Sequence, residues 1–141
     1  MTQSPSTACD GQRYLALKTV MLPRDTNPHG TIFGGVILSY LDLAGAVGAH
    51  HAIRSRNWPD QALVTVGMKS IAFHRPVWVG DIVSFTTRVV RVGRTSLTMH
   101  VSVDTERDGA AIHLTDGEVT YVSVSGPPQD QRPSPIRGEG T

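Results

Sequence analysis

Cysteine is nearly absent from this 141-residue chain, and the single Cys9 has no partner. Neither a disulfide framework nor a thiolate metal site can be built from it, and a reducing, cytoplasmic setting is expected. An excess of charge of either sign is missing too. The formal net charge of +1 excludes the broad basic stripe of a dedicated nucleic-acid binder. Residues 1–12 are polar and lack the apolar stretch of a secretory leader. Long apolar runs are scarce: the one that occurs, residues 31–49, contains a single charge, Asp42. About 20 apolar residues would cross a bilayer. This run carries Gly34, Gly35, Gly45, Gly48 and a central carboxylate, and it stands alone, which argues for a helix buried in a globular domain and against a membrane span.

What is present divides into a domain over residues 13–125, a flexible N-terminus over 1–12 and a Pro-, Gly- and charge-rich tail over 126–141, expected to be disordered. Residues 13–21 alternate as a first strand, and residues 22–30 (LPRDTNPHG) read as a loop. A helix over 35–54 would be about 30 Å long, and Pro59 lies beyond its end. The hydrophobic period then changes to two. Val64, Val66 and Met68 alternate, but Ile71 and Phe73 follow on the opposite parity, which predicts a bulge near Ser70. Val83 to Val89 and Leu97 to Val103 make two further strands, and Asp108-Gly109 is a hairpin signal before a last strand over 110–124. The prediction is an α+β domain, with an antiparallel sheet of about five strands around one long central helix. Since such a sheet covers only one side of an apolar helix, self-association is expected.

The chemistry converges on Asp42. A carboxylate inside an apolar helix costs several kcal/mol unless it is hydrogen-bonded or opens on a cleft. Asn27, His29, Gly30, Gly34 and Gly35 surround the helix entrance, where free backbone N–H groups and the positive end of the dipole meet. Glycines there admit a ligand oxygen close to the backbone, as an oxyanion hole requires. Asp42 follows Gly35 by seven positions, about 10 Å along the axis, too far for both to act on one carbonyl. Two antiparallel copies would bring Asp42 of one subunit to the Gly35 end of the other. Arg94, Thr95 and Ser96 sit at a turn, with Arg88 and Arg91 nearby and Arg75 at another turn; Arg and hydroxyl groups suit phosphate oxygens.

These residues together resemble the hotdog-fold acyl-CoA thioesterases, in particular the bacterial YciA-like enzymes and brain-type acyl-CoA hydrolases. The likeness runs over residues 17–124. It is carried by MLPRDTNPHGTIFGG (21–35), GGVILSYLDLAGAVGA (34–49), VTV (64–66), FHRPVWVGD (73–81) and VGRTS (92–96). It implies a hotdog fold paired as a double hotdog homodimer, often assembled further into a hexamer, acting on acyl-CoA without a separate cofactor. It implies that Asp42 is the catalytic carboxylate, that Asn27 assists from the other subunit, and that the Gly35 backbone polarises the thioester carbonyl. It also implies that the VGRTS turn contacts the nucleotide part of coenzyme A. Asp42 would act as general base on water, or attack the carbonyl directly to form an anhydride. Lys69, where relatives commonly carry an acidic residue, and His74 depart from or vary within the family pattern.

Two other functions stay open on sequence alone: an acyl-CoA-binding regulator without hydrolysis, and a hotdog dehydratase using His29. The remaining residues read plainly. His50 and His51 lack a third ligand at metal spacing, and Trp58 and Trp78 suit packing or a rim. His100 and His113 lie on strand faces with no nucleophile nearby, and Cys9 is not expected to be catalytic.

Overall fold

The computed structural model describes residues 12–138, so Cys9 and the start of the N-terminal segment lie outside the described residues. Strand β1 (Tyr14–Val20) is followed by a short 3-10 turn and helix α1 (Gly34–Ser55). Strands β2 (Ala62–Phe73), β3 (Ile82–Val92), β4 (Ser96–Arg107) and β5 (Ala110–Ser125) come next, and a two-residue β6 (Arg132–Pro133) ends the order. The sheet is antiparallel in the order β1-β3-β4-β5-β2, with β6 added to the end of β5. This is the hotdog arrangement, a sheet curved around one long helix. Asp108 and Gly109 both take positive φ (51° and 79°), as a tight hairpin turn between β4 and β5 demands.

Alternation sets the core. Leu97, Met99, Val101 and Val103 of β4 are essentially fully buried against Ile37, Leu41, Ala44 and Ile53 of α1. Each such side chain removed from water contributes about 1.5–3 kcal/mol. The helix comes close because it is glycine where the sheet presses. A Cβ at Gly45 would fall on the Tyr121 hydroxyl, and one at Gly48 on Thr87. The helix is long and apolar enough to cross a bilayer, yet Ile37, Leu41, Ala44, Ala49 and Ile53 are buried against the sheet.

The parity switch in β2 has the expected cause. Its pairing with β5 shifts between Lys69 and Ala72, and Ser70 takes φ 58°. Another irregularity, not foreseen, lies in β5: Asp104 pairs with His113 but Val103 with Thr115, so Leu114 is an extra residue on that strand.

The segment after Ser125 departs from the expectation of a disordered tail. β6 pairs with Val124 and Ser125, the Ile136 N–H donates to the Arg94 carbonyl at 2.8 Å, and Ile136 is 0 % exposed. Ser134 is buried as well, hydrogen-bonded to Ser123 at 3.0 Å and to the Gln61 side chain. The polar composition hid one apolar residue whose burial ties the segment down. Residues 139–141 lie outside the described set.

Apolar side chains stay uncovered on both β2 and α1. β2 forms a sheet edge with Val66, Met68 and Phe73 exposed (57 %, 38 % and 54 %), and α1 shows Leu43 and Val47 to solvent.

Candidate active site

Asp42 sits mid-helix, half-buried, with its carboxylate turned towards the sheet. Its Oδ1 accepts from the Thr65 hydroxyl of β2 at 2.9 Å. The Tyr121 hydroxyl of β5 lies 2.7 Å from the Asp42 carbonyl and 3.2 Å from Oδ1, and shares its proton between them. Tyr121 is 1 % exposed. Its burial, then the charge and hydrogen bond of Asp42, push the hydroxyl well above the usual tyrosine range, so it is a committed donor. Among the described residues no hydrogen bond reaches Oδ2. One oxygen is therefore pinned and the other is free to accept a proton or approach an electrophile.

Sequence reasoning missed Thr65 and Tyr121. Both occupy ordinary strand positions, separated from Asp42 by 23 and 79 residues. The available signal was Gly45, one turn beyond Asp42, whose missing Cβ makes room for the tyrosine.

The helix entrance is built by the preceding loop. Asn27 organises it: Oδ1 accepts from the backbone N–H groups of His29 (2.9 Å) and Thr31 (3.2 Å), and Nδ2 donates to Thr31 Oγ1 at 2.8 Å. The side chain thus supports its own loop, with one amide hydrogen left over. The loop closes by bridges from Thr26 to Ile32 and from Thr31 to Trp78. Phe33 is the N-cap and supplies no side-chain cap, and the first turn carries no acidic residue. Val36 N–H donates to the Phe33 carbonyl at 2.9 Å, so among the described residues the Gly34 and Gly35 N–H groups are the open donors at the positive end of the dipole. Gly35 is exposed there, and a Cβ at its position would lie 2.8 Å from the Phe33 ring. Gly34 lines a cleft with Ile37, Phe73, Arg75 and Val77, while His29 is exposed on the loop.

The two basic sites do not meet within one chain. Arg75 Nη1 donates to the His113 carbonyl at 3.1 Å, beside the helix entrance. Ser96 pairs with Val122, nine positions further along β5, so Arg94, Thr95 and Ser96 lie about 30 Å away at roughly 3.3 Å per strand residue. That distant turn is firm: Gly93 N–H donates to the Ser96 carbonyl, and Ser123 N–H to the Thr95 carbonyl, both at 2.8 Å.

Other residues fall where plain packing puts them. His51 stacks on Tyr14 with ring centres 3.7 Å apart, and His50 faces Asp60 at 3.6 Å. Trp58 packs on the core beneath the guanidinium groups of Arg56 and Arg137. A separate cleft between α1 and strands β1 and β3 is lined by Arg13, His51, Arg56 and Arg88, with no carboxylate among the described residues.

Comparison with known proteins gives one consistent answer. Residues 29–112 match the model of the thioesterase superfamily. The chain is 36% identical over 132 residues to the acyl-CoA thioester hydrolase YciA of Salmonella typhimurium, covering 90% of this chain and 94% of that one. It is 36% identical over 118 residues to its Escherichia coli K12 namesake, covering 80% and 85%. Among solved structures, a hexameric hotdog fold thioesterase of Campylobacter jejuni superposes with TM-score 0.73 at 42% identity, covering 86% and 89%. A hexameric thioesterase from Yersinia pestis superposes with TM-score 0.75 at 30% identity, covering 88% and 95%.

Proposed function

The chain belongs to the thioesterase superfamily, and from that premise we propose that it hydrolyses acyl-coenzyme A to the free acid and coenzyme A at a site shared between two subunits. The observation that carries the reading is the Asp42 carboxylate, with Oδ1 held by Thr65 and Tyr121 and no hydrogen bond on Oδ2 among the described residues. Oδ2 takes a proton from water as that water attacks the thioester carbonyl. The carbonyl oxygen becomes an oxyanion, stabilised by the uncapped N–H groups around Gly35 of the neighbouring subunit. Collapse of the tetrahedral intermediate breaks the C–S bond, and Asp42 returns the proton to the departing thiolate. None of these steps calls on a separate cofactor, since coenzyme A arrives as part of the substrate.

A shared site follows from distance. The start of α1 and Asp42 are about 10 Å apart along one helix, beyond the reach of a single carbonyl group. Antiparallel pairing of two copies offers a remedy, and the exposed β2 edge with Leu43 and Val47 supplies an apolar surface for it. The same pairing turns one chain's Arg94, Thr95 and Ser96 towards the partner's helix entrance, as phosphate ligands at the far end of the substrate. Arg75 and Gly34 line the entrance cleft, His29 lies exposed on the loop before it, and Asn27 holds that loop in shape. Repetition of the dimer as a trimer of dimers accords with the hexameric structures it superposes on, and a cytoplasmic enzyme accords with bacterial relatives that act on acyl-CoA.

Thiol release measured across acyl chain lengths tests this reading. Wild type releases coenzyme A, and Asp42→Asn keeps the fold but loses about 10²–10⁴-fold in turnover, the usual worth of a general base. Near-normal turnover in Asp42→Asn would remove the assignment. No release from any acyl-CoA would make the protein a binding module, and loss of water from a 3-hydroxyacyl substrate would make it a dehydratase. Oxygen-18 appearing in Asp42 after a single turnover would replace the water route with an anhydride.

A further inference from the structure

The face of the sheet turned away from α1 carries a second concentration of chemistry. Because Leu97, Met99, Val101 and Val103 point to the core, His100, Ser102 and Asp104 point outward from β4. The extra residue Leu114 in β5 rotates the strand so that His113 and Asp116, three positions apart, share that outer face. His74, just past β2, is tied in by its backbone N–H to the Leu114 carbonyl at 2.8 Å.

Three imidazoles close on one carboxylate. His74 Nε2 lies 3.1 Å from Asp116 Oδ1, while His100 Nε2 and His113 Nε2 lie 3.4 and 3.8 Å from Oδ2. The donor atoms of His74, His113 and Asp116 all fall within 4.8 Å of one another. A tetrahedral zinc ion bound at about 2.0–2.1 Å spaces its ligand atoms about 3.3 Å apart, a value these separations bracket. Behind His113 stands a second carboxylate: Nδ1 meets Asp104 Oδ1 at 2.7 Å, and Ser102 Oγ donates to Asp104 Oδ2 at 2.8 Å. Nδ1 is thereby engaged by Asp104, and Nε2 is the ring nitrogen that faces Asp116. A carboxylate behind an imidazole is also the usual support of a metal-binding histidine.

We propose that His74, His113 and Asp116 form a binding site for a zinc-class transition-metal dication, with Asp104 orienting His113, His100 bracing the Asp116 carboxylate, and water completing the coordination. Imidazole and carboxylate donors suit such ions. The two carboxylates, Asp104 and Asp116, present negative charge that a dication neutralises. The site lies away from the Asp42 carboxylate, although His74 also borders the cleft at the helix entrance with Gly34 and Arg75, and zinc binding is read without reference to hydrolysis.

Isothermal titration of zinc chloride into untagged, chelator-treated protein near neutral pH tests the proposal. The expected result is one saturable zinc per protomer for wild type and for Asp42→Asn. His113→Ala and His74→Gln each lose that site, with folding checked by circular dichroism and gel filtration. Asp104→Asn keeps the stoichiometry and weakens binding about 10- to 100-fold. No saturable binding by wild type, or binding unchanged in folded His113→Ala and His74→Gln, overturns the site.

Discussion

Gly45→Ala sets two known effects against each other at the point where helix and sheet are closest. In a helix interior, alanine in place of glycine ordinarily gains about 1 kcal/mol. Here the added methyl would fall on the Tyr121 hydroxyl, with the ring carbons Cζ and Cε2 at 3.2 and 3.3 Å. Tyr121 is 1 % exposed and has no room to swing aside, so overpacking costs about 1–3 kcal/mol. Displacing the hydroxyl also removes a donor from the Asp42 carboxylate, worth about 1–3 kcal/mol more. The clash wins, and a net loss of about 1–5 kcal/mol is expected from the sum of these ranges. If the lost donor is felt in the transition state, turnover should fall about 5- to 150-fold, since each 1.4 kcal/mol is a factor of ten. Gly34→Ala is the control for stability alone, because its Cβ would meet only the Phe73 ring at an ordinary 3.6 Å. Urea unfolding at fixed protein concentration and thiol release read the two effects separately. Adding Tyr121→Phe to Gly45→Ala should restore part of the stability without restoring turnover above that of Tyr121→Phe alone. A Gly45→Ala protein that is more stable than wild type and fully active would refute the reasoning.

Two further outcomes follow from other contacts. Burial works against the charge of Asp81, but hydrogen bonds from Arg107 (2.6 Å) and from the Trp78 N–H (2.9 Å) prevail and hold its carboxyl below the ordinary 3.8. A depressed carboxylate stabilises the fold above its ordinary value and loses that contribution as pH falls through its folded one. Arg107→Ala should therefore lower the urea midpoint at neutral pH by about 1–3 kcal/mol equivalent, with the gap to wild type narrowing below pH 3.8; a gap independent of pH would contradict this. Val66→Lys places a charge on the exposed apolar edge of β2 and should break the oligomer to monomers on gel filtration with light scattering, with activity lost in parallel.

Much of this was legible because it is local. The bounds of α1, the bulge at Ser70 and the Asp108-Gly109 hairpin each announce themselves within a few residues, through period, parity or turn chemistry. Asp42 was legible as a charge out of place. The hydroxyls that hold it were not, because Thr65 and Tyr121 reach it only through strand register and the curvature of the sheet. Nor could spacing show that Arg75 and Arg94 mark opposite ends of one sheet, or that Asn27 spends most of its hydrogen-bonding capacity on its own loop. His74, His100, His113 and Asp116 look unrelated along the chain, and one extra residue in β5 gathers them. Ile136 is the converse case, a single apolar side chain in a polar segment, invisible to periodicity but decisive once buried.

The central claim is that Asp42 works with the helix entrance of another subunit, and subunit mixing tests it most directly. Asp42→Asn protein and Asn27→Ala protein, each inactive alone, are combined in equal amounts and refolded together. Half of the resulting dimers are mixed, and each mixed dimer regains one site with both native halves, so activity should return to about one quarter of wild type. A mixture no more active than its parents would contradict the account, because it would confine the whole site to one chain.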